Sequence, residues 1–217
     1  MSVRDPKAVR LVDELRAEGI SDERVLKAIA RVPREKFVPQ TFRDRAYENV
    51  ALPIGHGQTI SQPYIVALMT QALEVTNRHM VLEIGTGSGY QAAVLAQLAR
   101  RVFTVERHRA MASAAEQLFQ ELRINNVTVR FGDGTKAWPE QPSFDRIIVT
   151  AAAANLPDVL MESLGEGGIL VAPIGEDKRD QTLMRLQRTA EGWQSEDLCP
   201  VRFVPLVAGL PRGGTTR

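Results

Sequence analysis

Hydrophobic residues recur at helical spacing in the first part of the chain and gather into short apolar runs after residue 80. Up to residue 31 the spacing predicts two helices, the first ending around Gly19 and the second carrying the apolar residues of 25–30. Ser21 stands where the second helix begins and is a good capping residue. Pro33 ends this helix, because the residue before a proline avoids the helical conformation. Short helices and loops are expected for residues 34–47.

Residues 48–62 show little regular periodicity, and a helix is predicted from Pro63 onwards because proline is favoured in a first helical turn. Irregular stretches of this length are usually functional or disordered. The apolar residues Leu52 and Ile60 indicate that this one packs against the core. Ser61 could simply cap the helix, although a proline at the first helical position would make Gln62 the cap.

Short apolar runs alternate with helical patterns from residue 81 to residue 175, which predicts a mostly parallel, doubly wound α/β sheet. The predicted strands of this part are 81–84, 101–106, 127–131, 144–150 and 167–175. Two further strands, 181–188 and 201–206, are predicted to be antiparallel. We predict a single domain, in which 1–62 supply N-terminal helices and a site loop, 63–207 the core, and 208–217 a flexible tail.

A glycine at every second position follows the first of these strands, in Glu83-Ile84-Gly85-Thr86-Gly87-Ser88-Gly89. Glycine allows positive φ and lets a ligand approach the backbone closely. The dinucleotide fingerprint would place its third glycine at position 90, which is Tyr90. A purely structural turn and a nicotinamide or flavin site are the alternatives. The E-x-G-x-G-x-G spacing resembles the first motif of the Rossmann-like S-adenosylmethionine methyltransferases, in which the acidic residue helps to hold the cofactor's ammonium group.

Two more acidic residues stand at predicted strand ends. Glu106 ends the second strand, and a carboxylate there can accept hydrogen bonds from both hydroxyls of an adenosine ribose. Asp133 lies in Gly132-Asp133-Gly134 after the third strand, where a plain turn is the simplest interpretation. At the carboxyl end of a parallel strand, however, Asp133 would face the ligand crevice and could accept the adenine amino group.

Composition places the chain among ordinary globular proteins and adds few constraints. Its 217 residues are 44% hydrophobic and 24% charged, with a formal net charge of +1, so no nucleic-acid or membrane partner is expected. The first residues lack the apolar core of a secretory signal, and a lone cysteine, Cys199, forms no internal disulfide. We expect a cytoplasmic monomer with no metal ligands. Cys199 has no histidine near it in sequence and is interpreted as structural rather than nucleophilic.

Eight stretches, in this order, closely resemble the protein-L-isoaspartate (D-aspartate) O-methyltransferase family over residues 7–207. They are Thr59-Ile60-Ser61-Gln62-Pro63, Glu83 to Gly89, Val105-Glu106-Arg107, Gly132-Asp133-Gly134, Trp138-Pro139-Glu140, Phe144 to Ala153, Gly167 to Gly175 and Val201 to Leu206. The first and last of them make the resemblance specific. It implies a Rossmann-like methyltransferase fold, S-adenosyl-L-methionine as cofactor, S-adenosyl-L-homocysteine as product, and damaged proteins bearing isoaspartyl residues as substrates.

The resemblance also assigns residues. It implies Ser61 as the catalytic serine. The implied cofactor-binding residues are Gln58, Thr59, Ile60, Ser61, Glu83, Gly85, Gly87, Glu106, Asp133 and Gly134. The implied substrate-binding residues are Thr59, Ser61, Val171, Pro173, Ile174 and Val204, from segments expected to present an edge-strand-like surface to a peptide backbone. Lys136-Ala137 departs from the family where a glycine is expected before the tryptophan, and the tail after Leu206 matches no pattern.

The implied chemistry agrees with the residues present. A carboxylate with a pKa near ~4 is already ionised at neutral pH, so its attack on a sulfonium methyl needs no general base. Ser61 is expected to orient that carboxylate by a hydrogen bond and not to act as a nucleophile, because no Ser-His-Asp pattern surrounds it. His56 is interpreted as a loop or packing residue. The alternatives are a methyltransferase acting on another carboxylate or a small molecule, a binding module without turnover, and a nicotinamide-dependent reductase.

Overall fold

The computed structural model describes residues 5–141, 143–176 and 180–211, which form a seven-stranded sheet, a small two-stranded sheet and six α-helices. The strands are β1 Leu52–Gly55, β2 Gln58–Ile60, β3 Met80–Ile84, β4 Arg101–Glu106, β5 Val127–Phe131, β6 Phe144–Val149, β7 Leu164–Ile174, β8 Gln181–Thr189 and β9 Gly192–Val201. The α-helices are α1 Pro6–Ala17, α2 Glu23–Arg31, α3 Pro63–Ala72, α4 Tyr90–Ala96, α5 Arg109–Glu121 and α6 Asp158–Glu162. Short 3₁₀ turns lie at Arg34–Phe37, Gln40–Arg45 and Gly134–Lys136.

The large sheet has the strand order β5-β4-β3-β6-β7-β8-β9. The strands from β5 to β7 pair in parallel, while β8 and β9 are antiparallel additions. After β3 the chain builds outward through β4 and β5, then returns to the other side of β3 as β6. In open α/β sheets such a reversal leaves a crevice at the carboxyl ends of the strands, where ligands bind. The mostly parallel α/β sheet with antiparallel C-terminal strands is confirmed.

Each face of the sheet is buried under its own hydrophobic cluster, because successive side chains of a strand point to opposite faces. Val81 of β3 and Ile148 of β6 belong to the cluster that also contains Leu11 and Ile29 of the N-terminal helices. The neighbouring strand residue Leu82 belongs to the cluster on the other face. The N-terminal helices therefore share one core with the sheet, and this core holds the elements that surround the crevice in place.

Most predicted element boundaries agree with the structure, but one helix cap is wrong. The predicted strands 101–106 and 127–131 coincide with β4 and β5. Helix α2 is capped by Asp22, whose side chain accepts a hydrogen bond of 2.8 Å from the Arg24 N–H, and not by Ser21. The Ser21 N–H instead donates to Gln71 Oε1 on α3, at 2.8 Å.

Two further expectations are corrected by the strand pattern. The stretch 48–62 is not an irregular loop, since it contains the antiparallel hairpin of β1 and β2, with Leu52 opposite Ile60. The last strand is Gly192–Val201, and residues 202–206 continue beyond it, with Pro205 making an isolated bridge to Ala152. None of the helices in the described ranges is long and apolar enough to cross a membrane.

Candidate active site

A cleft of about 690 Å³ opens at the carboxyl ends of β3, β4 and β6. Its walls are the hairpin and the entry to α3 at residues 57–62, the glycine loop at 84–88, residues 105–108, and the chain segment 200–207. Residues far apart in sequence therefore meet where the sheet topology predicts a ligand crevice.

The glycine loop has a shape that only glycine allows at two of its positions. Gly85 has φ of 100°, and a Cβ built there would lie 2.3 Å from Thr150 Oγ1. Gly89 has φ of 89° and caps the N-terminus of α4, and its Cβ would lie 2.8 Å from the Phe119 ring. Thr150 follows β6 and donates to the carbonyls of Ile84 and Gly85, at 2.9 and 2.7 Å. These contacts fix the loop against the sheet and leave its backbone facing the cleft.

Glu106 ends β4 inside the cleft and is held by the backbone. Its two carboxylate oxygens each accept one hydrogen bond of 2.9 Å, from the N–H groups of Gly87 and His108. The residue is only 5% exposed, and it lines the cleft. Because each oxygen keeps a further lone pair, the carboxylate can still accept from a pair of hydroxyls.

Glu83 lies behind the glycine loop, fully buried and outside the lining of the cleft. Its Oε2 accepts a hydrogen bond of 2.5 Å from Thr104, whose hydroxyl lies 2.6 Å from that of Thr86. Its Oε1 has no hydrogen-bond partner among the described residues. Burial raises the pKa of Glu83 to about 8, because the hydrogen bond from Thr104 only partly offsets the loss of water and nearby Glu106 adds to the rise. One oxygen is thus left without a partner in a place that favours the neutral acid.

Asp133 is used by the chain itself, and its neighbour Gly134 lines the cleft in its place. Asp133 Oδ1 accepts from the N–H and the hydroxyl of Thr135, and Oδ2 accepts from the N–H of Gly209 at 2.8 Å. Burial opposes its ionisation, but these hydrogen bonds outweigh burial and lower the pKa of Asp133. Residues 212–217 of the predicted flexible tail lie outside the described residues, whereas Gly209 is fastened to Asp133.

Ser61 lines the cleft together with Gln58, Thr59 and Ile60. Helix α3 has Gln62 as its cap and Pro63 at its start, so Ser61 is not the capping residue. Within the described ranges the Ser61 hydroxyl makes no hydrogen bond to protein, while its carbonyl accepts one of 2.7 Å from Arg34. The hydroxyl is thereby free to bind a ligand.

The stretch 171–175 does not form the free sheet edge expected for peptide binding, while Val204 from the other predicted segment lines the cleft. Val171 is fully buried and pairs with both β6 and β8. Pro173 and Ile174 pair with β8, and on their other side Ala153 exchanges backbone hydrogen bonds with the Pro173 carbonyl and with the N–H of residue 175. These three residues are absent from the lining of the cleft. The segment that reaches the cleft is 202–206, held by the exchange of Ala152 with Val204 and Leu206 at 2.8 and 2.6 Å.

Two residues that matter to the site were not selected from the sequence. Tyr90, considered only as a departure from the dinucleotide fingerprint, lines the cleft at the start of α4. Arg34 contacts both Tyr90 and Ser61 from behind. In the sequence, Arg34 is distinguished only by its position directly after Pro33, in a segment predicted to form short helices and loops.

His56 and Cys199 have structural surroundings. The His56 ring stacks on the His108 ring with 5.6 Å between centroids, at the tip of the hairpin. Cys199 is half-buried in β9, and burial raises the pKa of its thiol, which disfavours the reactive thiolate. Within the described part of the chain no group of three or more His, Cys, Asp or Glu side chains is arranged to hold a metal ion.

Comparison with known proteins identifies relatives over nearly the whole chain. Residues 7–210 match the family model described as protein-L-isoaspartate(D-aspartate) O-methyltransferase. The protein-L-isoaspartate O-methyltransferase of Rhodospirillum centenum is 56% identical over 202 residues, which are 93% of this chain and 91% of that one. That of Maricaulis maris is 55% identical over 212 residues, covering 98% and 99%.

Two solved structures share the whole architecture. A protein-L-isoaspartate O-methyltransferase superposes with a TM-score of 0.85 at 29% identity, covering 93% of this chain and 66% of the other, longer one. A Plasmodium falciparum protein named for the same activity, solved in complex with S-adenosyl-L-homocysteine, gives a TM-score of 0.80 at 26% identity, covering 94% and 99%.

Proposed function

The chain belongs to the protein-L-isoaspartate(D-aspartate) O-methyltransferase family, and from this premise we propose how its cleft carries out the reaction. The protein transfers a methyl group from S-adenosyl-L-methionine to isoaspartyl residues of damaged proteins. The acceptor is the free α-carboxylate of L-isoaspartate or the β-carboxylate of D-aspartate, and Ser61 orients it. The observation that carries this role is the Ser61 hydroxyl, which lines the cleft and has no hydrogen-bond partner within residues 5–141, 143–176 and 180–211.

The residues around the cleft fit the cofactor. Glu106 has two positioned carboxylate oxygens for the ribose hydroxyls, and Gly85 and Gly87 offer exposed backbone to the rest of the molecule. Gln58, Thr59 and Ile60 would cover it from the hairpin side. Behind the glycine loop, Glu83 keeps Oε1 without a hydrogen-bond partner among the described residues, and this oxygen would suit the cationic ammonium group of the methionine end. Gly134 lines the cleft and could contact the adenine through its backbone, whereas Asp133 would have to share a carboxylate that already accepts from Gly209.

Positioning, not proton transfer, supplies the catalysis in this scheme. When bound, the cofactor supplies a methyl group on a positively charged sulfur. A carboxylate oxygen forms the new C–O bond while the C–S bond breaks, its electron pair stays on sulfur, and no proton moves. Ser61 holds the carboxylate in line, and the segments 57–62 and 202–206 keep water away. Holding two reactants in this way can contribute on the order of 7 to 11 kcal/mol.

The methyl ester then leads to repair without further help from the protein. The amide nitrogen of the residue that follows in the substrate attacks the ester carbonyl, methanol leaves, and a succinimide forms. Hydrolysis of the succinimide returns part of the damaged residue to normal aspartate. Val204 and its neighbours, from the segment that reaches the cleft, would contact the peptide that carries the acceptor.

Transfer of labelled methyl to a matched pair of peptides tests this proposal. One peptide carries L-isoaspartate and the other L-aspartate at the same position, and only the first should be labelled. Ser61→Ala should lower kcat/KM about 100-fold or more while S-adenosyl-L-homocysteine still binds, since a misplaced reactant costs roughly that much. Ser113→Ala, on the exposed face of α5, is the control that should leave the rate unchanged. Equal labelling of both peptides would exclude the substrate assignment, and full activity of Ser61→Ala would exclude the role of Ser61.

We further propose that the protein acts as a monomer in the cytoplasm. A lone, half-buried cysteine, which can form no internal disulfide, is compatible with the reducing cytoplasm. Light scattering after gel filtration, with a mass near 24.0 kDa expected for one chain, tests the oligomeric state. A mass of twice that value would contradict it.

A further inference from the structure

Arg34 is a charged side chain with no exposed surface, placed directly behind the cleft. It belongs to the 3₁₀ turn Arg34–Phe37, between α2 and the hairpin. Its Nε donates to the Ala46 carbonyl at 2.8 Å, and its Nη2 donates to the Ser61 carbonyl at 2.7 Å. Its guanidinium carbon lies 4.5 Å from the centre of the Tyr90 ring. Both Ser61 and Tyr90 line the cleft, so this one buried cation contacts two residues of the cleft lining from behind.

Arg34 carries its charge without a counter-ion in the part of the chain that the structure describes. Among residues 5–141, 143–176 and 180–211 no carboxylate lies within ion-pair distance of it. Burial raises the pKa of Tyr90 despite the nearby cation, so the phenol stays neutral. Burial lowers the pKa of Arg34, but an arginine titrates so far above the pH of any assay that it stays protonated. Burying such a charge without a partner is costly, and an apolar residue of similar size would favour the fold more.

Two polar atoms at this place also lack partners. Arg34 Nη1 and the Tyr90 hydroxyl are both buried, and neither makes a hydrogen bond of good geometry within the described part of the chain, although the two groups lie close enough for each to shift the pKa of the other. Buried polar atoms of this kind are uncommon in native proteins and point to a function or to a missing group. Here they lie behind Ser61 and within Tyr90, the two residues through which Arg34 contacts the lining of the cleft.

We propose that Arg34 is a positioning residue for the acceptor carboxylate. Its hydrogen bond to the Ser61 carbonyl fixes the peptide unit that presents the Ser61 hydroxyl, and its contact with Tyr90 fixes the opposite wall. Its unpaired charge favours the ionised acceptor, which is the only form that attacks a methyl group. Without such a cation, a carboxylate taken out of water tends to become protonated and unreactive. This inference rests on the proposed function, because it requires a carboxylate substrate at Ser61.

Three variants separate this role from a purely structural one. Arg34→Met keeps the length of the side chain but removes the charge and the hydrogen bonds, and Arg34→Lys keeps only the charge. Arg10→Met makes the same change on the exposed face of α1 and should behave as the wild type. Thermal unfolding and S-adenosyl-L-homocysteine binding are measured first for each variant, so that folded protein is compared with folded protein.

For Arg34→Met we expect kcat/KM for the isoaspartyl peptide to fall about 100-fold, with KM for S-adenosyl-L-methionine changed much less. The acid limb of kcat should move up by about one pH unit, because the bound carboxylate loses a nearby opposite charge. For Arg34→Lys the acid limb should stay in place while kcat falls, since the amine cannot make both hydrogen bonds.

An Arg34→Met enzyme with an unshifted acid limb, or one that loses peptide and cofactor binding equally, would overturn the inference. If Arg34→Met does not fold, Arg34→Lys provides the test. Because this variant keeps the charge, a shift in the acid limb of its kcat would also overturn the inference. The wild-type enzyme is assayed on both peptides beforehand. If the wild-type enzyme does not label the isoaspartyl peptide, the proposed function is wrong. If the wild-type enzyme labels this peptide and Arg34→Met labels it equally well, only the proposed role of Arg34 is wrong.

Discussion

Glu83 is a carboxylic acid that the fold keeps away from water, and its behaviour should depend on whether the cleft is filled. Burial raises its pKa to about 8, so in the free protein it carries a proton at neutral pH. If it is the partner of the cofactor's ammonium group, binding must remove that proton. Calorimetry of S-adenosyl-L-homocysteine binding at pH 7, in buffers of different ionisation enthalpy, should then show release of most of one proton.

The same measurement has a clear control and a clear failure. Glu83→Gln should abolish the proton release, whereas Glu116→Gln on the exposed face of α5 should leave it unchanged. Proton release that persists in Glu83→Gln would assign the titrating group elsewhere and remove Glu83 from the cofactor site.

Glu83 also sets a pH dependence of the free protein. Its folded pKa of about 8 lies above its ordinary value of 4.5, so the folded state binds more protons than the unfolded state between these values. The contribution of the bound proton to the free energy of unfolding is full below about pH 4.5 and is lost as the pH rises through 8. The stability of Glu83→Gln relative to wild type should therefore rise between pH 5 and pH 9, as urea unfolding would reveal.

Ala137 occupies a backbone conformation that suits glycine. Its φ of 51° and ψ of −134° place a buried side chain in a region that costs an L residue about 1 to 3 kcal/mol. Ala137→Gly releases this strain but loses a buried methyl worth about 0.8 kcal/mol. With strain near the middle of that range, about 2 kcal/mol, and a further loss of about 0.7 kcal/mol because glycine has more freedom in the unfolded chain, the substitution should raise the free energy of unfolding by about 0.5 kcal/mol.

A matched substitution should have the opposite sign. Ala114→Gly, at an exposed position inside α5, should destabilise the protein by about 1 kcal/mol. Thermal unfolding of both variants measures the difference, and equal destabilisation by both would show that Ala137 is unstrained. A glycine was expected before the tryptophan from the family resemblance, and the structure shows Ala137 in a backbone conformation that suits glycine.

At the scale of elements, helix α2 depends on the residue that caps it. Asp22 accepts from the Arg24 N–H and pairs with the Arg24 guanidinium at 2.6 Å. Asp22→Ala should lower the free energy of unfolding by about 1 kcal/mol, as the loss of an N-cap does elsewhere. Ser21→Ala, one position earlier, should cost less than about 0.5 kcal/mol because its side chain is not the cap. Urea unfolding of the two variants would contradict this order if Ser21→Ala cost more.

The elements that were predicted correctly are those whose hydrophobic pattern is unambiguous. Strands β4 and β5 are short apolar runs rich in β-branched residues, bounded by turns, so both ends are visible in the sequence. Strand β9 was misplaced because residues 192–197 are exposed and carry no alternating pattern. The hairpin of β1 and β2 was missed because Pro53 and two glycines interrupt it, although the apolar positions 52 and 60 pair across it.

At the scale of the whole molecule, the site assembles residues that the sequence separates by more than a hundred positions. The resemblance to a family selected Ser61, Glu106 and Gly134, and the structure brings all three to one cleft. It could not reveal that residues 171–174 are paired on both sides, since pairing depends on which strands become neighbours. Nor could it reveal Arg34, whose contacts with Tyr90 and Ser61 exist only after the N-terminal layer packs on the sheet.

Because the cleft is closed by segments from across the chain, its ligand should stabilise the entire fold. A ligand present at 100 times its Kd and bound only by the folded state adds about 2.7 kcal/mol to the free energy of unfolding. For a protein of this size, each kcal/mol raises Tm by about 2 to 4 °C, so S-adenosyl-L-homocysteine should raise Tm by about 5 to 10 °C. NAD should leave Tm unchanged, since Tyr90 replaces the third glycine of the dinucleotide fingerprint. A rise with NAD equal to that with S-adenosyl-L-homocysteine would mean that the glycine loop does not discriminate between the two cofactors, and the assignment of Glu83 to an ammonium group would lose its basis.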